Sequence, residues 1–400
     1  MRIELATVVA PLADLLAYFA AVGAGNAPSR SQFIGFMVAA ALTYLLQIRA
    51  QARANGRTWD PTLYLHLIAV TLMAFFLRSG VFALLTNGWG WPGQAAIVFA
   101  VIATLALMGP GYAYCISQLR WTFGSGAGWR AGALGLVAFA LLLRLIYSGQ
   151  VELLPEEAYY WNYSRHLDFG YLDHPPMVGW LIGAGTAAFG DTEFGVRIGA
   201  LCCAVIASFF MYRLTRNLFG EPSGLAAVTL MQTLPFFFLA GMLMTPDAPL
   251  TAAWAAALYF LERALIAGRG AAWGGAGLCL GFGLLSKYTI GLLGVATLVF
   301  MLLDPPSRPW LRRWEPYGAA LLALAVFSPV IMWNAHHEWA SFVFQTSRRL
   351  AERPSFALHK LVASVVVLLT PTGLAAAAVL LPGQTPEAVG RDVSADRNRA

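Results

Sequence analysis

Apolar runs long enough to cross a bilayer recur along almost the whole chain, and this limits its fold more than any other feature. A span needs about twenty apolar residues at the helical rise per residue. Runs of this kind lie near 4–23, 32–48, 62–86, 93–117, 130–148, 196–214, 223–243, 247–265, 271–285, 288–303, 315–334 and 360–381. They predict an all-α polytopic membrane protein with about twelve spans and both termini on one side. The pair at 271–303 is the weakest, because one strongly bent segment would mimic two short spans. Composition agrees. The chain is 58% hydrophobic and 12% charged, with mean hydropathy +0.64, where a soluble domain carries about a quarter charged residues. Trp89, Trp91, Trp129 and Trp333 stand at run ends, as in an interfacial belt.

Charge then predicts an orientation. Arg49, Arg53 and Arg57, Arg120 and Arg130, Arg213 and Arg216, Arg263 and Arg269, and Arg308, Arg312 and Arg313 fill alternate loops. The intervening loops carry Glu152, Glu156, Glu157, Asp168, Asp173, Asp191, Glu193 and Asp247. The basic face, with both termini, is therefore expected in the cytoplasm and the acidic face outside. Arg348, Arg349 and Arg353 in the outer loop 335–359 run against this rule and point to an anionic ligand or a lipid headgroup. The net charge of +6 is spread over short loops without a basic run, which argues against a nucleic-acid partner. The segment after Met1 lacks a small-residue cleavage site and reads as a retained span. Cys115, Cys202, Cys203 and Cys279 show no metal-ligand spacing and read as packing residues.

Against this apolar background one polar island stands out. Leu154-Pro-Glu-Glu-Ala-Tyr-Tyr-Trp161 is followed by Gly170-Tyr-Leu-Asp-His-Pro-Pro176, gathering Glu156, Glu157, Arg165, Asp168, Asp173 and His174 between two apolar segments. Ionisable groups concentrated beside a span are candidates for chemistry. Pro155 suits a first helical position and the acids suit a first turn, so a helix is expected from 156 to 167. On it Glu157, Tyr160 and Trp161 share one face, and Glu156, Tyr160 and Tyr163 an overlapping one. Paired acids beside aromatics suit sugar binding; an amphipathic helix at the membrane surface is the plainer reading. Pro175 and Pro176 hold Asp173 and His174 at a rigid corner.

Other candidates lie apart in sequence. Lys287, followed by Tyr288, sits between apolar runs, where an ammonium either snorkels or meets an anion such as phosphate. Asp247 opens a span and is either a helix cap or functional. Arg197 begins a span and either reaches a phosphate or pairs with an acid. His336, His337 and Glu338 lie on an outer loop without diagnostic metal spacing. Asp14 and Arg78 fall inside predicted spans, as a structural ion pair or as a polar path for a phosphate headgroup. The first four spans also read as two copies of a helix pair, with exits at Tyr44 to Arg49 and Tyr114 to Phe123, and a Gly/Ser joint at 124–128.

In this order, the island together with Phe-Gly-Asp-Thr-Glu-Phe-Gly-Val-Arg197, Thr-Pro-Asp-Ala-Pro-Leu250 and Leu-Leu-Ser-Lys-Tyr288 resembles the GT-C membrane glycosyltransferases of the protein O-mannosyltransferase and aminoarabinose transferase superfamily. The likeness runs from about 142 to 339. Residues 1–125 are similar to GtrA-like proteins, a likeness that implies flipping of lipid-linked sugars. The first resemblance implies transfer of a sugar from a polyprenyl-phosphate donor at the outer face. In the family an Asp-Glu pair opens the first outer loop, and its Asp is the expected base. Here Glu156 takes that place, so either Glu156 or Glu157 is the base.

These readings predict a four-span GtrA-like domain at 1–125, a GT-C catalytic domain at 130–381 and a polar tail at 382–400. The expected enzyme is a membrane glycosyltransferase of the cytoplasmic (inner) membrane, acting on an envelope acceptor, with membrane lipids as its other partners. Glu156, Glu157 and Asp173 are the catalytic candidates. Tyr160, Arg165, His174, Arg197, Asp247, Lys287 and Tyr288 are the substrate-binding candidates, with Lys287 and Arg197 as the phosphate clamp. Asp14 and Arg78 would line a headgroup path. No cofactor or metal is expected, and a divalent cation is not indicated. A lipid-sugar transporter without transferase activity and a non-catalytic scaffold are the competing classes.

Overall fold

A computed structural model describes residues 2–55, 61–117, 126–351 and 357–366, with side chains over 9–46, 67–111, 128–347 and 357–366. The start of the joint at 124–125, most of the run at 360–381 and the tail at 382–400 lie outside the described residues, as do the exit at 118–123, Met1, Arg57, Arg120 and Arg353. The side chains of Arg49, Arg53, Cys115, Arg348 and Arg349 lie outside them too. Among the described residues the chain is helical and carries no strand. It is a polytopic helical membrane protein. It divides into two compact units, residues 1–124 with 145–151, and residues 125–144 with 152–400.

In the first unit α1 (Arg2–Gly23) packs on α2 (Pro28–Asn55), and α3 (Pro61–Ala83) on α4 (Gly93–Ser117). The helices thus form two successive pairs. Pro28 and Pro61 occupy the first helical position, where a missing N–H removes no intrahelical bond. Tyr18, Phe82, Ile97 and Ala100 form one apolar cluster, and Phe36, Leu67, Ala74 and Met108 another. Between helices α1 and α3, Arg78 donates to both carboxylate oxygens of Asp14, with Nη2 2.8 Å from Oδ1. Its Nε donates to Gln32 Oε1 at 3.1 Å, and Gln32 in turn donates to Ser79 Oγ at 3.4 Å. Asp14 and Arg78 are both buried, and a Cβ at Gly35 would stand 2.5 Å from Asp14 Oδ1. The two residues expected on a headgroup path are turned onto each other.

The second unit begins within α5 (Gly126–Ser148) and continues through α6 (Pro155–Arg165), α7 (Met177–Phe189), α8 (Glu193–Phe219), α9 (Glu221–Thr233), α10 (Pro235–Ala240), α11 (Asp247–Leu265), α12 (Ala272–Ser286), α13 (Gly291–Leu303), α14 (Glu315–His336) and α15 (Ala340–Ala351). Helix α8 packs on α11, α11 on α12 and α12 on α14, while α6 lies against α7 and α7 against α8. The α12–α14 contact is backbone-close: a Cβ at Gly277 would stand 2.5 Å from the Ala319 carbonyl oxygen. The core beneath α6 joins Tyr160, Tyr163, Val178, Ile182, Val196, Ala200, Met244 and Ala248.

The count of about twelve spans is not reached among the described residues. Five helical stretches are long and apolar enough to cross a membrane, Leu67–Gly88, Gly93–Gly111, Gly128–Ser148, Glu193–Phe219 and Glu315–His336. A sixth arises if Tyr288–Leu303 and Pro305–Arg312, bent by 112° to each other, are one span. Three of the remaining runs fall short for visible reasons. The run at 223–243 breaks at Leu234, whose ψ of 125° is extended, because Pro235 disfavours the helical region for the residue before it. The run at 247–265 carries Asp247, Glu262 and Arg263, and that at 271–285 spans only the 15 residues of α12. Helix α7, at 13 residues, is too short for a search based on twenty-residue runs, and α15 lies in what reads as a basic loop.

Candidate active site

Helix α6 forms where the acids and Pro155 place it, with Pro155 in the first turn and Leu154 extended before it. Its buried face is Glu157, Tyr160 and Tyr163, which leaves Glu156 exposed and Trp161 half-buried. The two glutamates therefore have opposite surroundings. Glu157 has no exposed side-chain surface, and both its oxygens are taken. Oε1 accepts from Arg197 Nε at 2.9 Å and from the Met244 amide at 3.0 Å. Oε2 accepts from Arg197 Nη2 at 2.6 Å and from the Leu154 amide at 3.1 Å, closing the first turn of α6. Arg197 also donates to the Glu152 carbonyl at 2.9 Å. Such a carboxylate has no lone pair left for an acceptor proton, and its guanidinium is committed to it. Glu157, one of the two candidate bases, and Arg197, a candidate for the phosphate clamp, fasten the loop to α8 and to the turn before α11.

Glu156 accepts no hydrogen bond from any described residue, and its neighbours are the remaining candidates. The charges of Asp173, Glu156 and Asp247 all act on Tyr160, and those of Asp173, Lys287, Asp247 and Glu156 act on His174. The His174 ring meets Tyr160 edge-on, centroids 5.6 Å apart. The island thus converges with residues from α11 and from the end of α12.

Asp173 is held from two sides. Tyr159 donates to its Oδ2 at 3.1 Å and Tyr163 to its Oδ1, while Gln345 of α15 donates to its carbonyl. Burial, reinforced by Asp173, pushes the Tyr160 and Tyr163 phenols well above their ordinary range, so at neutral pH both remain O–H donors. Tyr163 stacks on Tyr171 with centroids 3.8 Å apart, and the Tyr171 oxygen lies 3.0 Å from the carbonyls of Tyr163 and His166. Burial holds the His174 imidazole below its ordinary range, with Lys287 acting in the same direction and the acids opposing. His174 is accordingly neutral at pH 7.

Lys287 Nζ lies 2.8 Å from Asp247 Oδ1. Asp247 is the first residue of α11 and makes no capping bond, so the ion pair replaces the cap reading. The pair is partly exposed, 31% at Lys287 and 55% at Asp247, which leaves the ammonium open to exchange its partner for a ligand anion. Tyr288 turns away, its hydroxyl 2.8 Å from Ser341 Oγ and its ring against Phe327 and Phe342. Arg165 pairs with Asp191 at 2.9 Å, next to Trp161. Asp168 accepts from Trp333 Nε1 at 2.9 Å. The His337 ring stacks on Trp333, centroids 4.1 Å apart. Among the described residues no group of three metal-ligating side chains converges.

The sequence reading assigned no role to Tyr159 or Gln345. The i, i+4 spacing of Tyr159 and Tyr163 on α6 was a usable signal; Gln345 lies 172 residues from its partner and offered none.

The family described as dolichyl-phosphate-mannose-protein mannosyltransferase matches residues 173–333. The matched segment covers about two fifths of the chain. It contains Asp173, His174, Arg197, Asp247, Lys287 and Tyr288, and begins after the two glutamates. Among similar proteins, the lipid A galacturonosyltransferase RgtD of Rhizobium johnstonii is 26% identical over 219 residues, 52% of this chain and 44% of that protein. The undecaprenyl phosphate-alpha-4-amino-4-deoxy-L-arabinose arabinosyl transferase of Pseudomonas paraeruginosa is 31% identical over 221 residues, 48% of this chain and 38% of its own length. The lipopolysaccharide core galacturonosyltransferase RgtA of Rhizobium johnstonii is 30% identical over 215 residues, 51% of this chain and 41% of its own length. The matches thus span less than half of each of these relatives. No solved structure matches.

Proposed function

We propose that this chain is a membrane glycosyltransferase that moves a sugar from a polyprenyl-phosphate donor to an envelope acceptor, with Glu156 as the base. The observation that carries the reading is the contrast within the Glu-Glu pair. One carboxylate is saturated by four donors, and the other is exposed beside Asp173, His174 and the Lys287–Asp247 pair. In a single displacement the acceptor oxygen attacks the anomeric carbon, and the bond from that carbon to the phosphate oxygen breaks with its electron pair leaving on the phosphate. The acceptor proton passes to Glu156, and the anomeric centre inverts. The leaving phosphate gains negative charge, which Lys287 stabilises by exchanging Asp247 for it. Asp173, held by Tyr159 and Tyr163, and neutral His174 orient hydroxyls of sugar or acceptor.

The named relatives act on lipid A or on lipopolysaccharide core, or use an undecaprenyl-phosphate sugar. They favour an envelope glycolipid as acceptor, and none of those names favours a pure transporter. On this reading the catalytic loop faces outward from the inner membrane, the first unit delivers the donor, and both termini are cytoplasmic. The test is transfer of labelled sugar in membranes carrying Glu156→Gln or Glu157→Asp. Loss with the first, at normal protein level, is the expected result. Transfer by Glu156→Gln at the wild-type rate sinks the assignment, and headgroup crossing without transfer supports the transporter.

A further inference from the structure

Three buried arginines have described surroundings, and they differ in what answers their charge. Arg78 faces Asp14 and Arg197 faces Glu157. Arg144, in the membrane-crossing stretch Gly128–Ser148 and 3% exposed, forms no ion pair among the described residues. Its three hydrogen bonds go to neutral acceptors: Gln232 Oε1 at 2.7 Å, the Phe238 carbonyl at 3.1 Å and the Phe237 carbonyl at 3.4 Å. The Phe238 ring lies 4.7 Å from its Cζ. A guanidinium has more N–H donors than these bonds use. A buried arginine is costly and ordinarily meets a counter-charge.

Beside the guanidinium is a cavity of about 30 Å³, walled by Ala200, Cys203, Ala204 and Ala207 of α8 and reached by Gln232 and Thr251. Gly241 closes one side, and a Cβ there would stand 3.0 Å from the Arg144 Cζ, so a larger residue would press on the cation. One water needs about 10–15 Å³ of such space; the cavity therefore suits a small anionic group and is too small for a sugar ring. Thr251 is exposed and lies one helical turn along α11 from Asp247. The cavity mouth is thus on the helix that carries the outer ion pair.

We propose that the Arg144 cavity is a second anion site, which takes the phosphate group of a single-chain lipid phosphate. Its walls are mostly small and apolar, with Ser208, Gln232 and Thr251 as neutral polar groups; its one charge is cationic, and the remaining guanidinium donors match phosphate oxygens. The inference concerns binding alone and stands whether or not Glu156 is a base.

The test uses the purified full chain in lipid nanodiscs, in a Lys287→Ala background so that the outer ammonium does not contribute. Binding of radiolabelled polyprenyl phosphate is compared with binding of the parent polyprenol. The phosphate form is expected to bind about tenfold or more tightly, as a charge-assisted contact requires. Arg144→Gln should remove that preference and leave polyprenol binding as it was. Thr251→Phe, at the exposed mouth and away from the hydrogen bonds of Arg144, should weaken the phosphate form by a similar factor, and it carries the test if Arg144→Gln does not fold. Equal binding of phosphate and alcohol, or a preference that survives these variants, overturns the proposal and leaves Arg144 as a cap on the α10 carbonyls. Displacement by equimolar inorganic phosphate reassigns the cavity to free phosphate and overturns the lipid source.

Discussion

Each unit of this protein contains a fully buried acid–arginine pair with two-point hydrogen bonding, and only one of the two adjoins the proposed site. Asp14 and Arg78 are closed in by Gln32, Ser79 and Gly35, and their hydrogen bonds run to one another and to neutral side chains. Glu157 and Arg197 are closed in as completely, yet the pair also bonds to the backbone at Glu152, Leu154 and Met244. The second pair sets the position of a loop, and the loop presents Glu156, Asp173 and His174. Burial and charge do not by themselves mark chemistry in a membrane. On the proposed reading, what marks it is one exposed carboxylate held beside a buried, fully bonded one.

This contrast is open to experiment. Glu156→Gln should reduce transfer by about 10²–10⁴, the range for losing a general base, without lowering thermal stability; an unchanged rate would place the base elsewhere. Glu157→Gln should instead cost about 3–5 kcal/mol of stability, because it breaks a fully buried ion pair. Asp14→Asn should cost a similar amount for the same reason, yet leave transfer per folded molecule unchanged. Thermal unfolding of both variants alongside transfer assays would show whether the pairs differ as described. Lys287→Met removes one partner of a partly exposed pair and should shift stability by no more than about 1 kcal/mol. It should raise the donor KM about tenfold if the ammonium meets the phosphate, as one charge-assisted contact would.

The smallest effect concerns His174. Its folded imidazole titrates below its ordinary range, so below about pH 6.5 the unfolded chain takes up a proton that the folded protein resists. Its contribution to stability is complete above that pH and is lost as pH falls through the folded value. His174→Asn should remove that part of the slope in a plot of melting temperature against pH, and an unaltered slope would mean that the ring is not held neutral.

The apolar runs disclosed the helical class and most of the helices, because each run contains the information for its own hydrogen bonding. They did not disclose the number of spans. Whether a run stays whole depends on a single residue such as Pro235, and helices α7 and α15 fall below the length that such runs detect. The island and its helix were likewise legible, since Pro155 and the acids act locally. The division of labour between Glu156 and Glu157 was not. It is decided by Arg197 and the Met244 amide, 40 and 87 residues further along the chain. The same holds for Lys287, whose partner Asp247 is 40 residues away, and for Arg144, which reads as one more residue of an apolar span until its neighbours are seen.

The reach of the Glu157 carboxylate bears on how the protein is made. Synthesis delivers Glu157 first, Arg197 after the next helix, and the Met244 amide only after α8, α9 and α10. Until the ribosome has passed residue 244, the acid has no complete set of donors, and the loop bearing Glu156 is not yet tied to the turn before α11. A nascent chain interrupted before residue 197 would carry both glutamates without the guanidinium that sets them apart. The distinction between them is acquired only when the later helices have entered the membrane.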